Sequence, residues 1–263
     1  MNRQSPPRQL LTPITLGERF FPDGAPCGFY PDPLGRLHPN VTSILSHRWP
    51  FKIEDWAKYE PAGFDCKAAG EAAAKAGTAV HGVLEQFLLG EDISGYDKDL
   101  ATWVEPLLAS VSRAKAVVGV ELPLRNEIDG MRYAGSCDAV LEAPDGELVV
   151  VDFKTRRDVS YKKDEPNRPN LKYLAKQKTQ ISTYVFTINS IYADQLRKPI
   201  SRGTLLFAVP GLEKPMPVTI AGDELNRYIQ EWQDCLSSFY KTHGEAIEQA
   251  QQSYEANRME AAA

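Results

Sequence analysis

Residues 135–155, GSCDAVLEAPDGELVVVDFKT, constrain this chain more than any other stretch. β-forming residues flank Ala143-Pro144-Asp145-Gly146. Pro presets φ, Asp bonds back to its own backbone and Gly accepts positive φ, so the four residues predict a turn between antiparallel strands. In the second strand Leu148, Val149, Val150 and Val151 run without a polar break, as in a strand buried on both faces. Asp152 and Lys154 follow that run, where charged groups are costly to desolvate unless they are paired or bind something. They share a face, because side chains alternate along a strand. Adjacent strands can bring Asp138 beside Asp152. Two converging carboxylates repel, and a hard divalent cation relieves that repulsion. The hairpin therefore gathers two acids and a lysine around one point.

Composition removes several classes of function. With 43% hydrophobic and 25% charged residues the chain reads as globular, either one large domain or a core with an appended subdomain. No apolar run of about 18 residues is present, so no membrane span is expected. The opening MNRQSPPRQLLTP lacks the apolar stretch of a secretory signal. A cytoplasmic protein is the expectation. Cys27, Cys66, Cys137 and Cys235 show no CxxC spacing, so reduced thiols are expected rather than zinc or an iron–sulfur cluster. The net charge of −5 is unevenly spread: between Lys154 and Lys178 nine basic residues face three acids, a local +6 that leaves −11 elsewhere. A basic stretch directly after Lys154 suits a polyanion arriving at that end of the strand.

The chain divides into a Pro-rich arm (1–40), a globular body (41–245) and a polar tail (246–263). The arm holds eight of the 19 prolines and is expected to be extended or hairpin-rich, pinned by Phe20, Phe21, Phe29 and Tyr30. Asn40 or Thr42 can cap a short helix. Residues 66–89 read as an alanine-rich helix ended by Gly90, with His81 and Glu85 on one face. A second helix is expected over 98–115 despite Pro106. Strands follow at 116–128 and 131–142 around an Asp129-Gly130 turn. Residues 174–192 form an amphipathic helix on which Gln180 and Tyr184 lie one turn apart, both within reach of a phosphate or of Lys154. Strands at 203–209 and 216–220 precede a closing helix capped by Asp223, and from about residue 245 the chain reads as a frayed tail.

On these residues the chain resembles a known superfamily. Asp138 followed by Asp152-x-Lys154 is similar to the PD-(D/E)XK nuclease motif. Gly77-Thr78-x-x-His81-x-x-x-Glu85 and Gln180-x-x-x-Tyr184 resemble the first and third motifs of its RecB-like exonuclease branch. PNVTSIL at 39–45, followed by Trp56, resembles the entry segment of exonucleases similar to the mitochondrial genome maintenance exonuclease and its phage counterparts. The resemblance covers about residues 39–209. It implies an α/β fold with a restriction-endonuclease-like core, a mixed central β-sheet flanked by helices. It further implies Mg²⁺ or Mn²⁺ held by His81, Asp138, Asp152 and the Phe153 carbonyl, the histidine nitrogen favouring Mn²⁺. Glu121 matches an acidic position of the fold, as an extra ligand or the support of one; a solvent-facing strand glutamate is the alternative. The implied catalytic set is Asp138, Asp152, Lys154, Gln180 and Tyr184. The strand would be gripped by Arg156, Arg157, Lys162, Lys163, Lys176 and Lys178 together with Gln180 and Tyr184. The implied activity is exonucleolytic hydrolysis of DNA from single-stranded ends, in recombination, repair or replication, with 20–56 as a candidate arch. A noncatalytic nucleic-acid-binding module and a structure-specific endonuclease are the rival readings.

Overall fold

The unbroken apolar run becomes the middle strand of a sheet. The computed structural model describes residues 4–58, 60–61, 63–156, 161–162, 165–169 and 174–262, with the backbone alone at 55–56, 161–162, 165–169 and 261–262. In chain order β1 (Phe29–Pro31) and β2 (Leu37–Pro39) form a small hairpin. Then come α1 (Val41–Arg48), α2 (Ile53–Ala57), α3 (Cys66–Leu88) and α4 (Ala101–Val111). β3 (Ala116–Ile128), β4 (Met131–Glu142) and β5 (Leu148–Thr155) follow, then a separate ribbon of β6 (Tyr161–Lys162) and β7 (Glu165–Pro169). α5 (Ala175–Ile191), β8 (Arg202–Ala208), β9 (Met216–Ala221) and α6 (Gly222–Ala262) complete the order. The five-stranded sheet runs β3-β4-β5-β8-β9, and only β5 and β8 are parallel. A parallel pair needs a long crossover, and α5 supplies it.

Helices cover both faces of this mixed sheet. Leu148 and Val150 pack toward the cluster that includes Ile181, Val185, Trp232 and Leu236 of α5 and α6. Val149, Val151 and Phe153 pack toward Val80, Leu84, Leu107 and Leu108 of α3 and α4. Two-sided burial is why β5 shows no alternation, and each such side chain contributes roughly 1.5–3 kcal/mol. α5 lies close over β8 because Gly203 has no Cβ; one built there would stand 2.7 Å from Ile181 Cγ1. α3 begins where Asp65 accepts from Ala68 N at 2.9 Å, and it ends where Gly90 takes φ +74°. α1 is capped by Asn40, whose side chain accepts from Ser43 N at 2.7 Å.

Three sequence expectations are corrected. The helix expected over 98–115 is a 3₁₀ turn at 98–100 followed by α4, and it stops at Val111 because Lys115 N–H enters the sheet, donating to Glu142 O at 2.7 Å. The polar tail is helix: α6 continues to Ala262, with Ile247 and Ala250 buried and Tyr254 stacked on Phe20 at 5.4 Å. Of the four aromatics expected to pin the arm, Phe21 is 64% exposed and does not, whereas Phe29 is fully buried as expected. The arm is tied to the sheet by backbone bonds, with Gln9 N and Leu11 N donating to Val117 O and Val118 O, both at 2.8 Å. It therefore shields the outer edge of β3.

Candidate metal centre

The site arises where β4 and β5 part. Their ladder runs from Glu142↔Leu148 to Ala139↔Val151 and goes no further, while β4 stays paired with β3 and β5 with β8. Two residues past Val151 of the last pair, the N–H of Phe153 needs another acceptor, and the carboxylate of Asp138 provides it at 2.7 Å. The gap between the strands opens into a cleft of about 600 Å³. α3 forms one wall and presents His81; α5 forms another and presents Gln180 and Tyr184.

Three ligand-type side chains converge in the gap. His81, Glu121 and Asp138, all half-buried, each offer one atom within 4.8 Å of the others. The Nδ1 of His81 stands 3.5 Å from Asp138 Oδ2, and its Nε2 lies 2.9 Å from the Phe153 carbonyl. A carbonyl can only accept, so Nε2 carries the proton and Nδ1 turns a lone pair toward the acids. Burial lowers the pKa of His81 despite the pull of Asp152, which keeps the ring neutral near neutral pH. Asp138 is pushed well above the usual carboxylate range, first by burial and then by the charge of Asp152. One imidazole nitrogen and two carboxylates around a small gap are a group that could hold a metal ion through mixed oxygen and nitrogen ligands.

Asp152 and Lys154 form a second element of the same cleft. Asp152 has a side chain only 2% exposed, and Lys154 Nζ is 2.7 Å from its Oδ2. That contact is a short ion pair between a buried carboxylate and the ammonium beside it. Burial alone would lower the pKa of Lys154, but Asp152 and Asp138 outweigh it and raise the value, so the ammonium stays charged. The sequence expectation placed Asp138 and Asp152 side by side around one cation. In the structure Asp138 feels the charge of Asp152 and stands with His81 and Glu121, while Asp152 is paired with Lys154. Glu121, whose role the sequence left open, is in the ligand group. The Phe153 carbonyl is at the site, where it accepts from His81.

On α5 the side chains of Lys176, Gln180 and Tyr184 succeed one another at helical spacing. Gln180 Nε2 donates to Tyr184 Oη at 2.9 Å, and Lys176 Nζ donates to Ser46 Oγ on α1 at 2.8 Å. Burial raises the pKa of Tyr184 well above the ordinary phenol value, so its hydroxyl stays protonated. Lys178 is turned away and paired with Glu224 of α6 at 2.7 Å. Arg156 lies over the Phe207 ring at 4.8 Å. Arg157 and Lys163 lie outside the described residues, as does the side chain of Lys162. Arg19, Tyr30, Asn40 and Thr42 of the arm and α1 also line the cleft, and Ser136 Oγ donates to Glu121 Oε2 at 2.8 Å. Tyr30, Asn40 and Thr42 fall within the 20–56 segment read from sequence as a candidate arch, whereas Arg19 and Ser136 were not singled out. Ser136 was findable, two residues before Asp138; nothing local marks Arg19 or Tyr30.

The fold so defined is a mixed α/β sheet between two helical layers, split at one end around a His–Glu–Asp group. No family model matches the chain, and no curated protein matches it. Among solved structures, SSO0001 is 16% identical over 73% of each chain with a TM-score of 0.35. A protein from Eubacterium rectale named "Putative exonuclease" is 13% identical over 80% of this chain and 81% of its own, with a TM-score of 0.47. The chemistry of the cleft is therefore read from its own residues. No described helix is long and apolar enough to cross a membrane.

Proposed function

We propose that this chain is a metal-dependent DNA exonuclease of the PD-(D/E)XK type, acting on single-stranded ends with Mg²⁺ or Mn²⁺. The observation that carries the reading is the convergence, at the split between β4 and β5, of His81, Glu121 and Asp138 beside the Asp152–Lys154 pair. The unprotonated Nδ1 of His81, turned toward the half-buried carboxylates of Asp138 and Glu121, fits a bound cation better than it fits water alone. His81, Glu121, Asp138 and Asp152 would hold it, and the Phe153 carbonyl keeps a second lone pair for it. When bound, such a cation lowers the pKa of a coordinated water and offsets phosphate charge.

The remaining work falls to side chains of this chain. Lys154, charged and aimed into the cleft, would stabilise negative charge gathering on the scissile phosphate or orient the attacking water. Gln180 and Tyr184 offer an amide and a protonated hydroxyl to a neighbouring phosphate oxygen. Lys176 and Arg156 would grip the backbone, which positions a strand without reading its sequence.

The test is digestion of end-labelled linear single-stranded and duplex DNA and of closed circles, with Mn²⁺, Mg²⁺ or EDTA, alongside Lys154→Ala. Metal-dependent loss of linear strands, with circles spared and the variant silent, is expected. Cutting of circles would make the enzyme an endonuclease. Tight binding without cleavage in either metal would identify a binding module instead.

A further inference from the structure

Glu121 is an anomaly within its own strand. Its φ is +41°, in the left-handed region, which costs a side-chain-bearing residue about 1–3 kcal/mol and persists only where the surroundings fix it. Among the described residues the other non-glycine with positive φ is Asp129, in the tight turn with Gly130 between β3 and β4, where the geometry requires it. No turn asks for it at Glu121. Around this point the pleat also slips. Val120 packs toward α3 and α4 while Leu122 packs into the opposite core, although residues two apart ordinarily share a face. The neighbouring strand shows the same slip, with Cys137 in one core and Ala139 in the other. Glu121 and Asp138, the residues between, are thereby freed from both cores.

Ser136 occupies the position that completes this device. On β4, two residues before Asp138, its Oγ donates to Glu121 Oε2 at 2.8 Å, fixing the carboxylate that stands with His81 and Asp138. We propose that Ser136 is a positioning residue, holding Glu121 as a standing ligand so that the centre binds its metal before any substrate arrives. This rests on the reading of the cleft as a metal centre. The distorted backbone supplies the direction of the glutamate, and the serine supplies its orientation.

The test is Mn²⁺ binding to the full chain without DNA, followed by loss of the free-ion electron paramagnetic resonance signal. It would compare wild type, Ser136→Ala, Ser136→Thr, Glu121→Gln, His81→Ala and the double variant Ser136→Ala/Glu121→Gln. Supporting partners of metal ligands are typically worth about 10–100-fold in affinity. Ser136→Ala should bind about ten-fold more weakly, Ser136→Thr should bind near wild type, and the double variant should bind no more weakly than Glu121→Gln, as expected if Ser136 acts only through Glu121. Ser136→Ala binding like wild type would overturn the inference. So would a full additional ten-fold loss in the double variant. If His81→Ala loses Mn²⁺ while Glu121→Gln keeps it, the metal centre stands and the Glu121–Ser136 role falls. If wild type binds no Mn²⁺ at all, the metal centre falls and the role of Ser136 with it.

Discussion

Asp32 and Asp138 are both substantially buried aspartates, and their surroundings drive them in opposite directions. Asp32, in the turn between β1 and β2, accepts from Leu34 N and Arg36 N, both at 2.9 Å, and from Arg36 Nε at 2.8 Å. His38 Nε2 and Arg125 Nη1 each stand 3.4 Å from it. Burial would raise its pKa, yet these partners together hold it down at about 2. Asp138 has one backbone N–H and faces a histidine lone pair, and burial with the nearby charge of Asp152 raises its pKa. A carboxylate supplied with cations by the fold is a fastener. One left short of cations is, on the proposed reading, a receptor for a cation from outside.

That contrast is broken or sharpened by four measurements. The largest effect is on catalysis: Lys154→Ala and Asp138→Asn should each reduce cleavage by at least about 10²-fold, the scale for deleting one group that stabilises transition-state charge, while Asp32→Asn cuts normally. Next is ligand protection. A divalent ion at one hundred times its Kd should stabilise wild type and Asp32→Asn by about 2.7 kcal/mol in thermal melts and leave Asp138→Asn unmoved. Equal protection of all three would erase the distinction. Third, without metal, Asp32→Asn should lose about 1–3 kcal/mol, because Arg36 and Arg125 lose the charged oxygen they face and meet an amide N–H in its place. Asp138→Asn should lose nothing, because the amide oxygen still accepts from Phe153 and the like-charge repulsion is gone. The smallest effect is on pH dependence. A depressed folded-state pKa gives Asp32 a stabilising contribution that is complete above the unfolded value near 3.8 and lost as pH falls through about 2. Wild type should shed on the order of 1–2 kcal/mol across that window, and Asp32→Asn should not.

The hairpin at 131–155, the helix bearing His81 and the Gln180–Tyr184 pair were legible in sequence because their signals are local: a turn tetrapeptide, an alanine-rich run, a helical repeat. The company of Asp138 was legible only in part. Adjacent strands suggest Asp152 as its neighbour, but the slip of the pleat that brings Glu121 to it follows from three strands fitting together rather than from any one of them. The α6 extension was hidden for a related reason. Its segment past residue 245 looks polar, and its few apolar residues find use only through the tertiary fold: Tyr254 against Phe20 some 230 positions earlier, Ile247 and Ala250 in the core that also holds Leu11, Cys27 and Phe29. The cleft residues Arg19 and Tyr30 share that obscurity, since a proline-rich arm carries no period that says where it will lie.

The brace between α6 and the arm sets an order of events. Gln251 accepts from Leu37 N at 2.7 Å and donates to Gly35 O at 3.0 Å, contacts that span more than 210 positions of sequence. Loops of that span close late, after local hairpins and helices have formed. On a ribosome, residues 138–154 would emerge and pair long before residue 251 is made, so the acids and the lysine would be assembled while the wall carrying Arg19, Tyr30 and Asn40 still lacked its fastening. A nascent chain would thus hold the reactive groups in an unfinished enclosure, and the cleft would acquire its final shape only near the completion of synthesis.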